Sequence, residues 1–271
     1  MNPNEVLEKK ELAPKTRVVY ASVIKRLQKL QFKFPLKTPE RITYIKEFFE
    51  EFKPSTKLDM LNVVIVLRTI LELPVTNLKS MRGELQKERV SGNITKMADV
   101  GKTLPTLVEF KADLQKAFDA GDWKKFIVNY LFLSYGVRNL DVDVTITSTP
   151  DESKNFLVPK GKKVTYIRNT YKTVKTHGPK TVVIEDPQFV KAVKKLGDGP
   201  LFADNQLSNG LRKLYMDKMS ESKIFKMLID DAYDKKDTVE INRLGESRGT
   251  SIATIKKFYD VNAEEAVIRE I

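Results

Sequence analysis

Three boxes carry residue types that can handle a phosphodiester. Arg138 stands in Tyr135-Gly136-Val137-Arg138-Asn139-Leu140-Asp141, and Arg212 in Asn209-Gly210-Leu211-Arg212-Lys213-Leu214-Tyr215. Tyr259 closes Ser251-Ile252-Ala253-Thr254-Ile255-Lys256-Lys257-Phe258-Tyr259. A guanidinium can hold non-bridging phosphate oxygens with its planar fork and stabilise the charge of a five-coordinate transition state. A phenol, with a pKa near 10, becomes a nucleophile where such cations favour its phenolate. Two arginines and a late tyrosine therefore suit attack on a DNA phosphodiester. The chain offers little other chemistry, having no cysteine and one histidine, His177. Disulfides, thiolate metal sites and most histidine chemistry are excluded, and there is no glycine-rich phosphate loop. No metal and no cofactor is expected.

Composition points to a polyanionic partner. Lys and Arg number 48 against 36 Asp and Glu, a net of +12 with a pI near 9.5. The first hundred residues carry +7 of that and the rest +5, so the charge is not one detachable tail. The strongest apolar stretches, Leu61 to Leu67 and Phe126 to Leu133, are far shorter than the ~20 residues of a membrane span and read as buried helices. A polar, acidic start excludes a secretory signal, and an intracellular location fits.

The elements that would position the boxes fall into two domains. Apolar residues at Val19, Val23, Leu27 and Leu30, within 11–34 and between Pro14 and Pro35, predict an amphipathic helix. Helical patterns follow at 39–52, 56–72 and 76–90, giving a small basic all-α domain over 1–95. Periodicity fades and glycine appears through Gly101, which predicts a linker at 96–102. A second domain, 103–271, opens with Thr106 and Glu109 spaced as a capping box for a helix over 107–119. An apolar helix from Trp123 leads to Gly136 and Arg138. Alternation at Val142, Val144 and Ile146, and the runs 164–167 and 181–184, predict a small antiparallel sheet. Between those last two strands lies a lysine-rich hairpin, 169–180. Helices return at 187–196, 205–219, 221–233, 237–245 and 251–258. The fold class is mainly α with a small antiparallel sheet, α+β in two domains.

This ordered set resembles the tyrosine recombinases, the integrases and resolvases that break and rejoin DNA through a phosphotyrosine. The resemblance covers most of the chain and implies a helical core-binding domain followed by a catalytic domain. Arg138 matches the family's first catalytic arginine, in a Gly-hydrophobic-Arg box followed by Asp141. Arg212 matches the second, in a box that opens a helix. The hairpin resembles the one whose tip lysine protonates the departing 5′ oxygen, with Lys172 the first choice and Lys175 the second. Tyr259 would be the nucleophile. Two positions depart from the family. Asn209 replaces a histidine or lysine three residues before Arg212, and Glu246 replaces the histidine of a Leu-Gly-His-Ser motif in Leu244-Gly245-Glu246-Ser247. Thirteen residues separate Glu246 from Tyr259, longer than usual, which suggests an insertion around Arg248-Gly249-Thr250.

The resemblance implies a site-specific recombinase acting on duplex DNA through a 3′-phosphotyrosyl intermediate, assembled as a tetramer on paired sites. The two domains would form a C-shaped clamp. Lys25, Arg26, Lys29 and Lys33 are the expected phosphate contacts of the first domain, and 263–271 could form a short helix that packs on a neighbour. Two rivals stand beside it. A type IB topoisomerase uses a similar residue set, although the helical first domain favours the recombinase. A DNA-binding or structural protein that has lost catalysis is kept in view by Asn209 and Glu246.

Overall fold

A computed structural model describes residues 2–204, 206–216 and 218–261, the side chains of Lys15 and of 93–99 excepted. The stretch 263–271, expected to form a terminal helix, lies outside the described residues. The chain divides into two compact units, Met1–Asn93 and Ile94–Ile271. It is mainly helical with one small sheet.

The first unit holds α1 (Pro3–Glu8), α2 (Pro14–Lys29), α3 (Ile42–Phe49) and α4 (Pro54–Ile70), and α5 (Thr76–Gly101) begins in it. Proline occupies the first turn of α1, α2 and α4, where its missing N–H breaks no helical hydrogen bond. Helix α2 does not run on to Pro35. Gln31 turns left-handed at φ 58°, and the Phe32 amide bonds back to Leu27 O at 2.9 Å. That Schellman closure also buries Phe32 with Leu27. Val19 and Leu30, expected on the core face, are exposed, and Ile24 takes the buried position beside Leu27. Aliphatic residues of α4 and the aromatic rings of Phe32, Phe48 and Phe49 fill the core. Arg68 lies fully buried among them, donating to the carbonyls of Pro35, Lys37 and Pro74 at 2.6, 2.7 and 2.9 Å. Lys25, Arg26 and Lys29 are exposed on α2, and Lys33 is exposed just beyond it.

The segment expected as a linker is helical, since α5 continues to Gly101. Interior glycine costs a helix only about 1 kcal/mol against alanine, too little to end one. The break comes at Lys102–Leu104, ahead of Pro105, where helical geometry is disfavoured before a proline.

In the second unit, α6 (Leu107–Asp119) starts on the expected capping box, with Thr106 and Glu109 satisfying each other's amides at 2.7 and 3.2 Å. Helix α7 (Trp123–Tyr135) follows, then β1 (Val144–Ile146), β2 (Asn155–Lys160), β3 (Lys163–Arg168), α8 (Val174–His177), β4 (Lys180–Ile184), α9 (Pro187–Leu196) and β5 (Gly199–Pro200). Helices α10 (Leu207–Leu214), α11 (Glu221–Asp234), α12 (Thr238–Arg248) and α13 (Ile252–Phe258) complete it.

The sheet order is β4-β3-β2-β1-β5. It is mixed rather than wholly antiparallel, because β1 and β2 pair in parallel with Val144 opposite Asn155. A parallel pair usually needs a long crossover. Here β1 is three residues long, so the chain returns only ~10 Å, well within reach of residues 147–154. The predicted lysine hairpin is present as the antiparallel β3–β4 pair, but its connection contains the short helix α8. Helices α7 and α9 pack on each other, and Phe126, Val128, Phe189 and Val193 bury their side chains in the same core as the sheet.

Candidate active site

The apolar run of α7 stops at Gly136, whose φ of 56° is left-handed. A Cβ there would stand 2.9 Å from the Phe225 ring and 3.0 Å from Leu244, so a side chain is excluded by backbone and space alike. The turn that follows presents Arg138. Asp141 closes it by accepting the Arg138 amide at 3.2 Å, and is itself fully buried. Burial pushes the Asp141 carboxyl above its ordinary range, opposed by that amide and then by the nearby Arg168 charge. Arg168 Nη1 lies 3.4 Å from Asp141 Oδ2, with both side chains out of solvent. Asn155 at the start of β2 donates to Leu140 O at 3.1 Å and Thr170 O at 3.0 Å, which ties the Arg138 turn to the sheet.

Helix α12 ends against three cations. Its carbonyls at 246, 247 and 248 accept hydrogen bonds from Lys180 Nζ, Arg168 Nη1 at 2.9 Å and Arg138 Nη1, respectively. The last four carbonyls of a helix lack internal partners and carry partial negative charge, so cationic donors suit them. Gly249, left-handed at φ 64°, terminates the helix. A Cβ on Gly249 would lie 2.2 Å from Thr173 Oγ1 and 3.2 Å from His177, so the β3–β4 connection packs directly on this turn. Tyr171 anchors that connection, its hydroxyl donating to Gly178 O at 2.6 Å. Arg138 also donates Nη2 to Thr250 Oγ1 at 2.8 Å. Burial, then the Arg248 charge, press its pKa below the ordinary value. Lys180 is likewise lowered, by burial first and by Arg168 next.

Arg248 runs back beneath Tyr259. Its Nη1 donates to Gly136 O and Val137 O at 2.8 and 3.0 Å. Its Nη2 meets Glu221 and, at 3.4 Å, the Tyr259 hydroxyl. The guanidinium sits 4.2 Å from the centre of the Phe225 ring, and Tyr259 stands edge-on to that ring at 4.8 Å. Tyr259 caps α13 and is partly exposed. The arrangement places the guanidinium groups of Arg138 and Arg248 and the phenol of Tyr259 in one connected network.

Of the residues singled out in the sequence, Arg138 and Tyr259 come together through Arg248. Lys172 and Lys175 are exposed, without hydrogen bonds or ion pairs from their ammonium groups among the described residues. They lie in the connection that packs on Gly249. Arg212 is outside this network. It occupies the last turn of α10 rather than a helix start, is exposed, and makes no hydrogen bond among the described residues. It therefore gains no amide donors from a helix start. Asn209 is exposed on the same helix, and Glu246 is exposed on α12. Arg248, Arg168, Lys180 and Glu221 were not predicted as site residues. Arg168 was discoverable, because the alternation Val164, Tyr166, Arg168 puts a charge on the buried face of β3.

Among the described residues no group of His, Cys, Asp and Glu could hold a metal ion. No helix there is long and apolar enough to cross a membrane. No protein-family model matches the chain, and no curated protein matches it. Among solved structures, the crystal structure of XerA recombinase aligns over 99% of this chain and 98% of that one, with 14% sequence identity and a TM-score of 0.37.

Proposed function

We propose that the chain binds duplex DNA and breaks and rejoins it in the manner of a tyrosine recombinase. Tyr259 oxygen attacks the phosphorus, its proton passes to solvent water, and a P–O bond to tyrosine forms as the bond to the 5′ oxygen breaks. That oxygen takes up a proton from Lys172 or Lys175 in the β3–β4 connection. Rejoining reverses the exchange, so the phosphodiester energy is kept in the 3′-phosphotyrosine. Arg138 holds the non-bridging oxygens, Arg248 positions the Tyr259 hydroxyl, and Lys25, Arg26, Lys29 and Lys33 contact phosphates from the first unit. Self-association on paired sites, as a tetramer, belongs to this reading. The observation that carries it is the meeting of Tyr259, through a 3.4 Å approach to Arg248, with Arg138 from more than a hundred residues earlier.

The experiment is covalent capture on a nicked suicide duplex, resolved by denaturing electrophoresis. A slow band is expected for the native chain, and none for Tyr259→Phe, which should still bind DNA because one hydroxyl carries little charge or packing. A second reading, a DNA-binding protein without catalysis, is favoured by the engagement of Arg138, Arg168 and Lys180 with α12 carbonyls. Absence of the band for the native chain across a broad panel of sites would make that reading the better one.

A further inference from the structure

The β2–β3 hairpin turns through Gly161, at φ 59°, with Lys160, Lys162 and Lys163 around its tip. Lys162 lines a groove of about 690 Å³ together with Glu185, Pro187, Val190, Lys191, Lys194 and Lys195. Positions 191, 194 and 195 share one face of α9. Glu185, the carboxylate in the lining, is already paired with Lys163, and Val190 is buried beneath. Lys191 places its ammonium 5.2 Å from the centre of the Phe118 ring. Lys162, Lys194 and Lys195 have no hydrogen bond or ion pair among the described residues.

We propose that this groove is a second binding surface for the phosphate backbone of duplex DNA, separate from the Arg138–Tyr259 cluster. Arg168 marks the site end of β3 and Lys163 the tip end. Five residue steps at ~3.3 Å separate them by about 17 Å, beyond a Debye length of ~8 Å, so the two surfaces take different phosphates. Along α9, Lys191 to Lys195 rises ~6 Å, close to two nucleotides at ~3.4 Å per strand. Lysine is a flexible point charge, suited to backbone contact without base readout. The lining offers ammonium groups and aliphatic carbon, without the carboxamides or hydroxyls that would take up the backbone of an acidic peptide. The inference rests on the proposed function only in taking duplex DNA as the partner.

The test compares the full chain with Lys162→Ala/Lys194→Ala/Lys195→Ala, titrating duplex DNA over a range of salt and confirming the fold by thermal melting. Each phosphate contact contributes ~0.9 to the log–log slope, so the triple variant should lose about 3 from its magnitude. At saturating DNA, its covalent capture should match that of the native chain. If the native chain gives no covalent band yet the slope still falls, the groove stands and the catalytic reading fails. An unchanged slope in a folded variant overturns the groove. So does failure of the native chain to bind DNA. So does poly-glutamate binding that the triple variant loses while its DNA slope is unaltered, which would assign the groove to an acidic protein.

Discussion

Arg138 donates Nη1 to the backbone carbonyl of Arg248, a residue 110 positions later in the chain. The side chain of Arg248 in turn reaches the Tyr259 hydroxyl, so one residue links the early arginine to the late tyrosine through its two ends. Arg212 takes no part. Arg138→Ala should therefore reduce the rate of covalent capture by about 10²-fold or more, the effect of removing one donor to a developing charge. Arg212→Ala, which removes one exposed charge, should change it by about fivefold at most. Single-turnover rates of band formation decide between them, and the reverse order would move the site to α10.

Arg248 is 2% exposed and pairs with Glu221. Removing one member of a buried pair leaves an uncompensated charge, so Arg248→Met should cost about 3 kcal/mol. Adding Glu221→Gln should restore part of that loss. Urea unfolding of the two single variants and the double closes the cycle. Additive losses would mean that the pair is not coupled.

Gly249→Ala should destabilise for two separable reasons. A left-handed φ costs a non-glycine residue about 1–2 kcal/mol, and the new Cβ would meet Thr173 Oγ1. Thr173→Ala removes the obstructing atom, a buried hydroxyl without a partner, and should be close to neutral alone. In the double variant most of the steric part should vanish, with His177 still close, and the backbone part remain. If Thr173→Ala rescues nothing, the β3–β4 connection does not rest on this turn in solution.

The Arg168–Asp141 pair predicts a dependence on pH. Burial raises the Asp141 carboxyl in the fold, and Arg168 opposes the rise. An acid with a raised folded pKa favours the fold below its unfolded value of about 4, and that favour disappears as pH climbs through the folded value. Arg168→Ala removes the opposing charge and widens this window. Its stability deficit should be largest near pH 7 and shrink as the solution is acidified towards pH 4.5. Equal deficits from urea midpoints at the two pH values would sink the prediction.

Much of the local architecture was legible because its signals are local. The capping box at Thr106 and Glu109, the proline that opens α2 and the glycine after α7 each act within one turn. What escaped depends on partners far along the chain. The parallel pairing of β1 with β2 follows from the shortness of β1, which periodicity over a few residues does not define. The continuation of α5 past Ser91 shows that glycine weakens a helix without ending it. At the candidate site, Arg138 and Tyr259 could be read from their boxes, whereas Arg248 looked like part of an insertion. Its place in the network is set only by Gly136, Glu221 and Phe225 around it. The box around Arg212 matched the pattern by sequence alone, and α10 presents its side chain to solvent, outside the Arg138–Tyr259 network.

The triple cap on α12 also bears on how the chain folds. Its donors lie 110, 79 and 66 residues before the carbonyls they reach. Each contact closes a long loop, and the entropy of closure is spent before the contact gives anything back. The triple cap is therefore a late product of folding, since it cannot form until the sheet and α12 have met. During synthesis, a chain released before α12 would carry most of the lysines and arginines but neither the cap nor the turn that leads to Tyr259.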